Sequence, residues 1–186
     1  QILKLPLSYY LSDDVELIAR SLLGKFLFSN INNKLTGGII TETEAYKGIT
    51  DKASHAYGGR RTNRTEVMYK QGGISYVYLC YGVHYLLNVV TGEVDIPHAV
   101  LIRAIYPITG IDHMLARTGK SKAGYNLTNG PGKLTKALGV NMSQNGISFQ
   151  GNKLWIEDRG VDIKSQDIET TPRIGVDYAA GDSLLP

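Results

Sequence analysis

Glu44, His55 and a ladder of tyrosines occupy one stretch of this chain. Thr41-Glu42-Thr43-Glu44-Ala45-Tyr46 comes first, His55 follows Glu44 by eleven residues, and Tyr76-Val77-Tyr78-Leu79-Cys80-Tyr81-Gly82 completes the set. Tyrosine faces grip a flat aromatic ring. A carboxylate in an apolar setting takes a proton from a water held beside a reacting carbon. The bland alternatives are an ion-pair partner for Glu44 and a core stripe for Tyr76 and Tyr78. Glu42 sits two residues from Glu44, on the same face of a strand, so alternation alone does not separate the two carboxylates.

Tyr81 stands beside Gly82 at what reads as a hairpin tip. A large ring there suits a wedge pushed between base pairs. Asn88 interrupts the apolar run from Leu86 to Val90. A buried amide costs about 1–3 kcal/mol if unpaired, so it needs backbone partners or a ligand. His55, in a loop, reads alone as structural. The four histidines and Cys80 lack metal-ligand spacing, so no metal and no cofactor is expected. Gly130-Pro131-Gly132-Lys133 lacks the pattern of a nucleotide phosphate loop. Its N–H groups and Lys133 can still hold one backbone phosphate.

These residues need elements to aim them. Asp13, with Glu16 three residues on, predicts a helix start. Val15, Ile18, Ala19 and Leu22 follow at helical spacing, and Gly24 is a stop. Residues 25–28 and 35–45 read as strands of a hairpin around 30–33, which puts Glu44 at a strand end. Residues 46–62 read as a loop and 63–69 as a short helix. Residues 74–80 and 85–90 form the clearest hairpin, joined at 81–84. Residues 99–105 read as a buried strand and 107–117 as a helix. A further helix opens at Pro131 and ends at Gly139, and short strands follow at 153–157 and 173–176. This mix is α/β or α+β, with antiparallel pairing in the hairpins.

The whole chain sets broad bounds. Its 186 residues suffice for one domain with a real core. No run reaches the length of a membrane span and no signal peptide opens it, so no membrane partner is expected. The single cysteine cannot close an internal disulfide and points to an intracellular home, the cytoplasm of a prokaryote or the nucleus of a eukaryote. Gln1 at the start suggests trimming. The net charge of +3 is compatible with a nucleic-acid partner. Arg60, Arg61 and Arg64, near Lys47, Lys52 and Lys70, form one basic group, and Lys120, Lys122, Lys133 and Lys136 another; solvated surface is the plain reading of either.

Taken together, these segments resemble the alkyladenine (3-methyladenine) DNA glycosylases of the mammalian type. The likeness rests on residues 42–46, on His55-Ala56-Tyr57-Gly58-Gly59-Arg60-Arg61-Thr62, on Tyr76-Val77-Tyr78 with Tyr81-Gly82, and on Asn88. It continues through Leu101-Ile102-Arg103-Ala104, Gly130 to Leu134 and Arg173-Ile174-Gly175-Val176. It implies a single α+β domain over 1–186, with a curved, mainly antiparallel β-sheet core, a protruding β-hairpin and surrounding helices. Glu44 matches the general base, and Arg103 and the Ile174 carbonyl match the groups that hold the water with it. Tyr46 and Tyr78, with His55, match the walls that sandwich an extruded base, and backbone groups at Ala53 and His55 match those that read its edge. Asn88 matches the amide that collides with the 2-amino group of guanine. Tyr81 matches the duplex wedge, Met68 an apolar contact to the opposite strand, and Arg60 and Arg64 backbone contacts. His84 stands where animal members carry tyrosine, and the chain ends at Leu184-Leu185-Pro186, where members usually continue into a final strand.

The implied reaction is monofunctional: a damaged purine rotated out of double-stranded DNA loses its glycosidic bond to a Glu44-activated water, by a monomer without a catalytic lysine. Two rivals stay open on sequence alone. One is a non-catalytic lesion or abasic-site binder on the same scaffold. The other is a hydrolase of free nucleosides or modified RNA, for which Tyr81 and the basic loop would have no purpose.

Overall fold

The computed structural model describes residues 3–171. Seven strands form one sheet: β1 (Leu3–Lys4), β2 (Phe26–Ile31), β3 (Lys34–Tyr46), β4 (Ser75–Cys80), β5 (His84–Thr91), β6 (His98–Thr109) and β7 (Leu154–Asp158). Three helices join them: α1 (Val15–Leu22), α2 (Ile111–Thr118) and α3 (Pro131–Leu138). The strand order is β1-β7-β2-β3-β6-β5-β4, and every neighbouring pair is antiparallel. An antiparallel sheet with separate helices is the expected α+β class.

Helix α1 buries Val15, Ile18, Ala19 and Leu22, the stripe its spacing predicts. Its cap is Asp14, one residue later than expected: Asp14 Oδ1 accepts from the Leu17 N–H at 3.0 Å. That shift puts Leu17 at the third helical position, so no reciprocal acidic cap forms there. The β2–β3 hairpin is also tighter than expected. Pairing continues to Ile31↔Lys34, and the turn is Asn32-Asn33, with φ of 56° and 59°. Asparagine tolerates this left-handed pair, which matches the twist of a two-residue hairpin loop.

Residues 107–109 extend β6 rather than opening a helix, and α2 starts only at Ile111. Pro107 pairs with Gly38 beside a register shift between Gly37 and Gly38, an irregularity where a strand tolerates a residue without an N–H. The expected helix at 63–69 is a short 3-10 turn, Glu66–Tyr69. Strand β1 was not anticipated, while α3 begins with Pro131 and ends on left-handed Gly139 as predicted. The expected strand at 173–176 lies outside the described residues.

Cross-strand register explains how this fold builds a site. Glu44 pairs with Leu101, Leu101 with Asn88, and Asn88 with Tyr76. One row thus crosses β3, β6, β5 and β4. Paired residues share a sheet face, and that face recurs every second residue. Tyr46, Ala99 and Val90 form the next row, and Tyr78 with Leu86 lies beyond on the other side. The opposite face carries Ala45, Val77, Leu87, Val89, Val100 and Ile102, all in the main core with the three helices. A smaller cluster of Ala56, Met68, Tyr69, Tyr76, Val90 and Ala99 underlies the polar face.

Candidate active site

Glu44 is 6% exposed. Arg103 Nη1 lies 3.2 Å from its Oε1, and the Tyr46 hydroxyl donates to its Oε2 at 2.7 Å. The Arg103 side chain is only 16% exposed, so water does little to screen the pair. Arg103 owes its position to an irregularity. Glu42 pairs with Ala104 and Thr43 with Ile102, so Arg103 is the extra residue between them. Such a bulge re-aims a side chain. Arg103 Nε is buried without a hydrogen-bond acceptor among the described residues, a donor left for something else. Glu42, by contrast, is exposed and receives the Tyr125 hydroxyl at 3.1 Å. Depth separates the two carboxylates where alternation did not.

A cavity of about 610 Å³ opens on this face. Its walls include Tyr46, His55, Tyr76, Tyr78, Asn88 and Arg103. A second cavity of about 200 Å³ is lined by Glu44, Glu42, Glu16, Arg20 and again Arg103. Glu44 therefore sits at the seam, bonded to Arg103 and Tyr46, which line the larger cavity.

The aromatic wall is a connected unit. His55 Nδ1 and the Tyr76 hydroxyl are hydrogen-bonded at 2.8 Å, and the His55 and Tyr78 rings meet edge to face at 4.6 Å. Tyr76 and Tyr78 are 5.4 Å apart. At 4.6 Å the His55 and Tyr78 rings touch each other, so they form one wall together. Burial pushes the His55 ring down to about 4, and the Arg64 and Arg60 charges add to this. The imidazole is thus neutral at physiological pH. Burial raises the Tyr76 phenol, with Arg64 opposing.

The loop that carries His55 is braced from within. Asp51 is buried, and its carboxylate accepts the N–H groups of Ala53 at 2.9 Å and Lys47 at 3.3 Å. The Ala53 N–H is therefore committed within the loop. Sequence reasoning missed Asp51, although an Asp two residues before a buried Ala is the mark of a side chain closing a local turn.

Asn88 is 3% exposed, lines the cavity, and donates through Nδ2 to the Tyr76 carbonyl at 3.2 Å. This meets the requirement that a buried amide be paired. Tyr81 is 88% exposed at the tip between β4 and β5, with φ of 52°, beside Gly82 at 68°. Met68 is the residue expected to touch the opposite DNA strand. It is 2% exposed and packed in the small cluster under the cavity, because the 3-10 turn points it inward. Arg60, Arg64 and Lys133 are exposed, and Arg64 and Lys133 line the cavity mouth. Arg61 is differently employed: it pairs with Glu66 at 2.8 Å and Asp95 at 3.0 Å and lies over Tyr69. His84 lines the cavity too, packed so closely on α3 that a Cβ on Gly132 would fall 2.7 Å from the ring. Ile174 lies outside the described residues.

Known proteins are similar to this chain over nearly its whole length. The family model described as methylpurine-DNA glycosylase matches residues 9–185. A protein of Chlamydia felis, named "Putative 3-methyladenine DNA glycosylase", is 49% identical over 183 residues, covering 98% of this chain and 93% of its own. Proteins with the same name from Bacillus cereus (strain AH820) and Bacillus cytotoxicus are 50% and 47% identical. They cover 94% and 95% of this chain, and 88% and 90% of their own lengths.

Proposed function

The chain belongs to the methylpurine-DNA glycosylase family and is a DNA glycosylase, and from that premise we propose that it excises damaged purines from double-stranded DNA as a monofunctional enzyme with Glu44 as its base. The observation that carries this reading is the buried Glu44 carboxylate, held by Arg103 and Tyr46 at the edge of an aromatic cavity.

A base within a duplex is unreachable, so the nucleotide rotates out at a cost of a few kcal/mol. Tyr81, 88% exposed, fills the gap it leaves. Arg60, Arg64 and Lys133 engage the flanking phosphates, which positions the duplex without reading sequence. The extruded purine enters beside the joined wall of His55, Tyr76 and Tyr78, with Tyr46 lining the same cavity. Stacking on such rings is worth about 1–3 kcal/mol per base. Asn88, fixed by its bond to the Tyr76 carbonyl, leaves no room for the 2-amino group of guanine.

Glu44 then takes a proton from a water at the seam of the two cavities. The water oxygen bonds to C1′, the bond from C1′ to the purine nitrogen breaks, and its electron pair leaves with the purine. The Glu44 charge also stabilises the cation developing on the sugar. Arg103 holds the water and keeps the carboxylate aimed. The product is an abasic site in an uncut strand. We place the enzyme inside the cell and working as a monomer; among the described residues no helix is long and apolar enough to cross a membrane.

The test is base release from a duplex carrying one hypoxanthine, read as strand cleavage after hot alkali, with Glu44→Gln beside the native protein. Alkali-dependent cleavage by the native protein alone is expected. Cleavage before alkali would overturn the monofunctional reading. Tight lesion binding with no release, repeated on methylated DNA, would leave a lesion binder instead.

A further inference from the structure

The chemistry of the larger cavity has an electrical bias that its aromatic lining conceals. Among the described residues around it, Arg64, Arg103 and Lys133 are cationic and none is acidic. Glu44 lines the other cavity and pairs with Arg103 at 3.2 Å, so the bias rests on Arg64 and Lys133. Among these cations Arg64 lies over a ring of the aromatic wall. Its Cζ lies 4.9 Å from the centre of the Tyr78 ring. Tyr78 in turn touches His55, which carries no compensating charge.

We propose that Arg64 is a specificity-determining residue that favours neutral damaged purines over cationic ones. The inference rests on the glycosylase reading above. A ring whose electrons already face a guanidinium attracts a second cation less. An N-alkylated cationic purine entering the cavity therefore meets both a partly satisfied tyrosine and a like charge. A neutral purine meets neither penalty. The two classes also diverge as the bond breaks. The electron pair from C1′ turns a neutral purine towards an anion, which Arg64 stabilises. The same pair neutralises a cationic purine, which keeps part of its positive charge, and the repulsion, in the transition state. Both effects push the discrimination in one direction. Arg64 can do this while it serves a backbone phosphate, since losing a phosphate contact lowers binding of every lesion alike.

The experiment measures single-turnover release of hypoxanthine and of 3-methyladenine from duplex DNA by the native protein, Arg64→Gln and Arg64→Lys. The ratio of the two rates cancels any general loss of DNA affinity. Removing the charge in Arg64→Gln is expected to lower the hypoxanthine to 3-methyladenine ratio about fivefold, the scale of one exposed cation on a ring. Arg64→Lys, which keeps the charge, is expected to restore most of it. Thermal melting of each variant confirms that it is folded. Equal losses on both substrates, or a ratio unchanged by Arg64→Gln, would overturn the proposal and leave Arg64 a backbone contact only. Release of neither base by the native protein would sink the glycosylase reading itself, and this proposal with it.

Discussion

Two faces of the same four strands teach different lessons. On the helix side, Ala45, Val77, Leu87, Val89, Val100 and Ile102 are aliphatic and sealed under α1, α2 and α3. On the other side, the same strands present Tyr46, Tyr76, Tyr78, Asn88 and Arg103 around an open cavity, with Glu44 bonded to Arg103 and Tyr46. Adjacent residues of one strand thus go to opposite duties: Leu87 to packing and Asn88 to the site, Val77 to packing and Tyr76 and Tyr78 to the site. A rigid, well-packed face is what lets the other hold polar groups still. It fixes the register, and the register aligns Glu44, Leu101, Asn88 and Tyr76 in one row.

The comparison breaks most sharply at Glu44. Glu44→Gln is expected to lower excision by about 10²–10⁴-fold, the range of a general base, with lesion affinity within about tenfold of native. The variant also leaves the buried Arg103 charge unmatched, a change that costs about 3–5 kcal/mol elsewhere. A melting curve beside the rate assay separates the two effects. Native-like excision by a folded variant would refute the role of Glu44.

Leu87→Ala probes the neighbouring residue on the other face. Leu87 is fully buried, so a loss of about 2–5 kcal/mol in stability is expected. Excision per folded molecule should stay near native at low temperature. A selective loss of catalysis with unchanged unfolding in urea would show that the two faces are not separable in this way.

Tyr81→Ala lies at the far end of the same hairpin, where nothing is packed. Binding to lesion duplex should weaken by about tenfold, near the value of one stacked ring. Stability should move by less than about 0.5 kcal/mol. Unaltered affinity would remove the wedge role.

The last effect appears only on acidification and concerns His55. Its ring binds a proton more weakly folded, at about 4, than at the ordinary 6.5, chiefly through burial. The unfolded chain therefore takes up the proton first as pH falls. The stability His55 contributes is whole above about pH 6.5 and is lost progressively as pH falls to about 4. His55→Gln should flatten that part of the stability profile. An NMR titration placing the native ring near 6.5 would contradict the buried setting.

Much of this was legible in the sequence because it is local. The apolar stripe of α1, Pro131 and Gly139 at the ends of α3, the hairpin that exposes Tyr81 and the alternation along β4 and β5 all follow from near neighbours in the chain. So did the family likeness, since its motifs are short and ordered. The sequence also pointed to Asn88 as an amide needing a partner, though not to which one.

Tertiary structure decided the rest. Glu42 and Glu44 are equivalent by alternation, and only the position of each along the sheet leaves one exposed and the other buried against Arg103. Pro107 belongs to a strand because a register shift beside Gly38 accommodates it. Met68 faces inward, His55 rests against Tyr78, and Asp51 has claimed the Ala53 N–H. Each of these depends on pairings across many residues of chain. Local spacing carries a two-residue or a 3.6-residue period. It contains nothing that says which strand lies alongside, or at what offset, and that offset is what brings a carboxylate, a guanidinium and a tyrosine wall to one cavity.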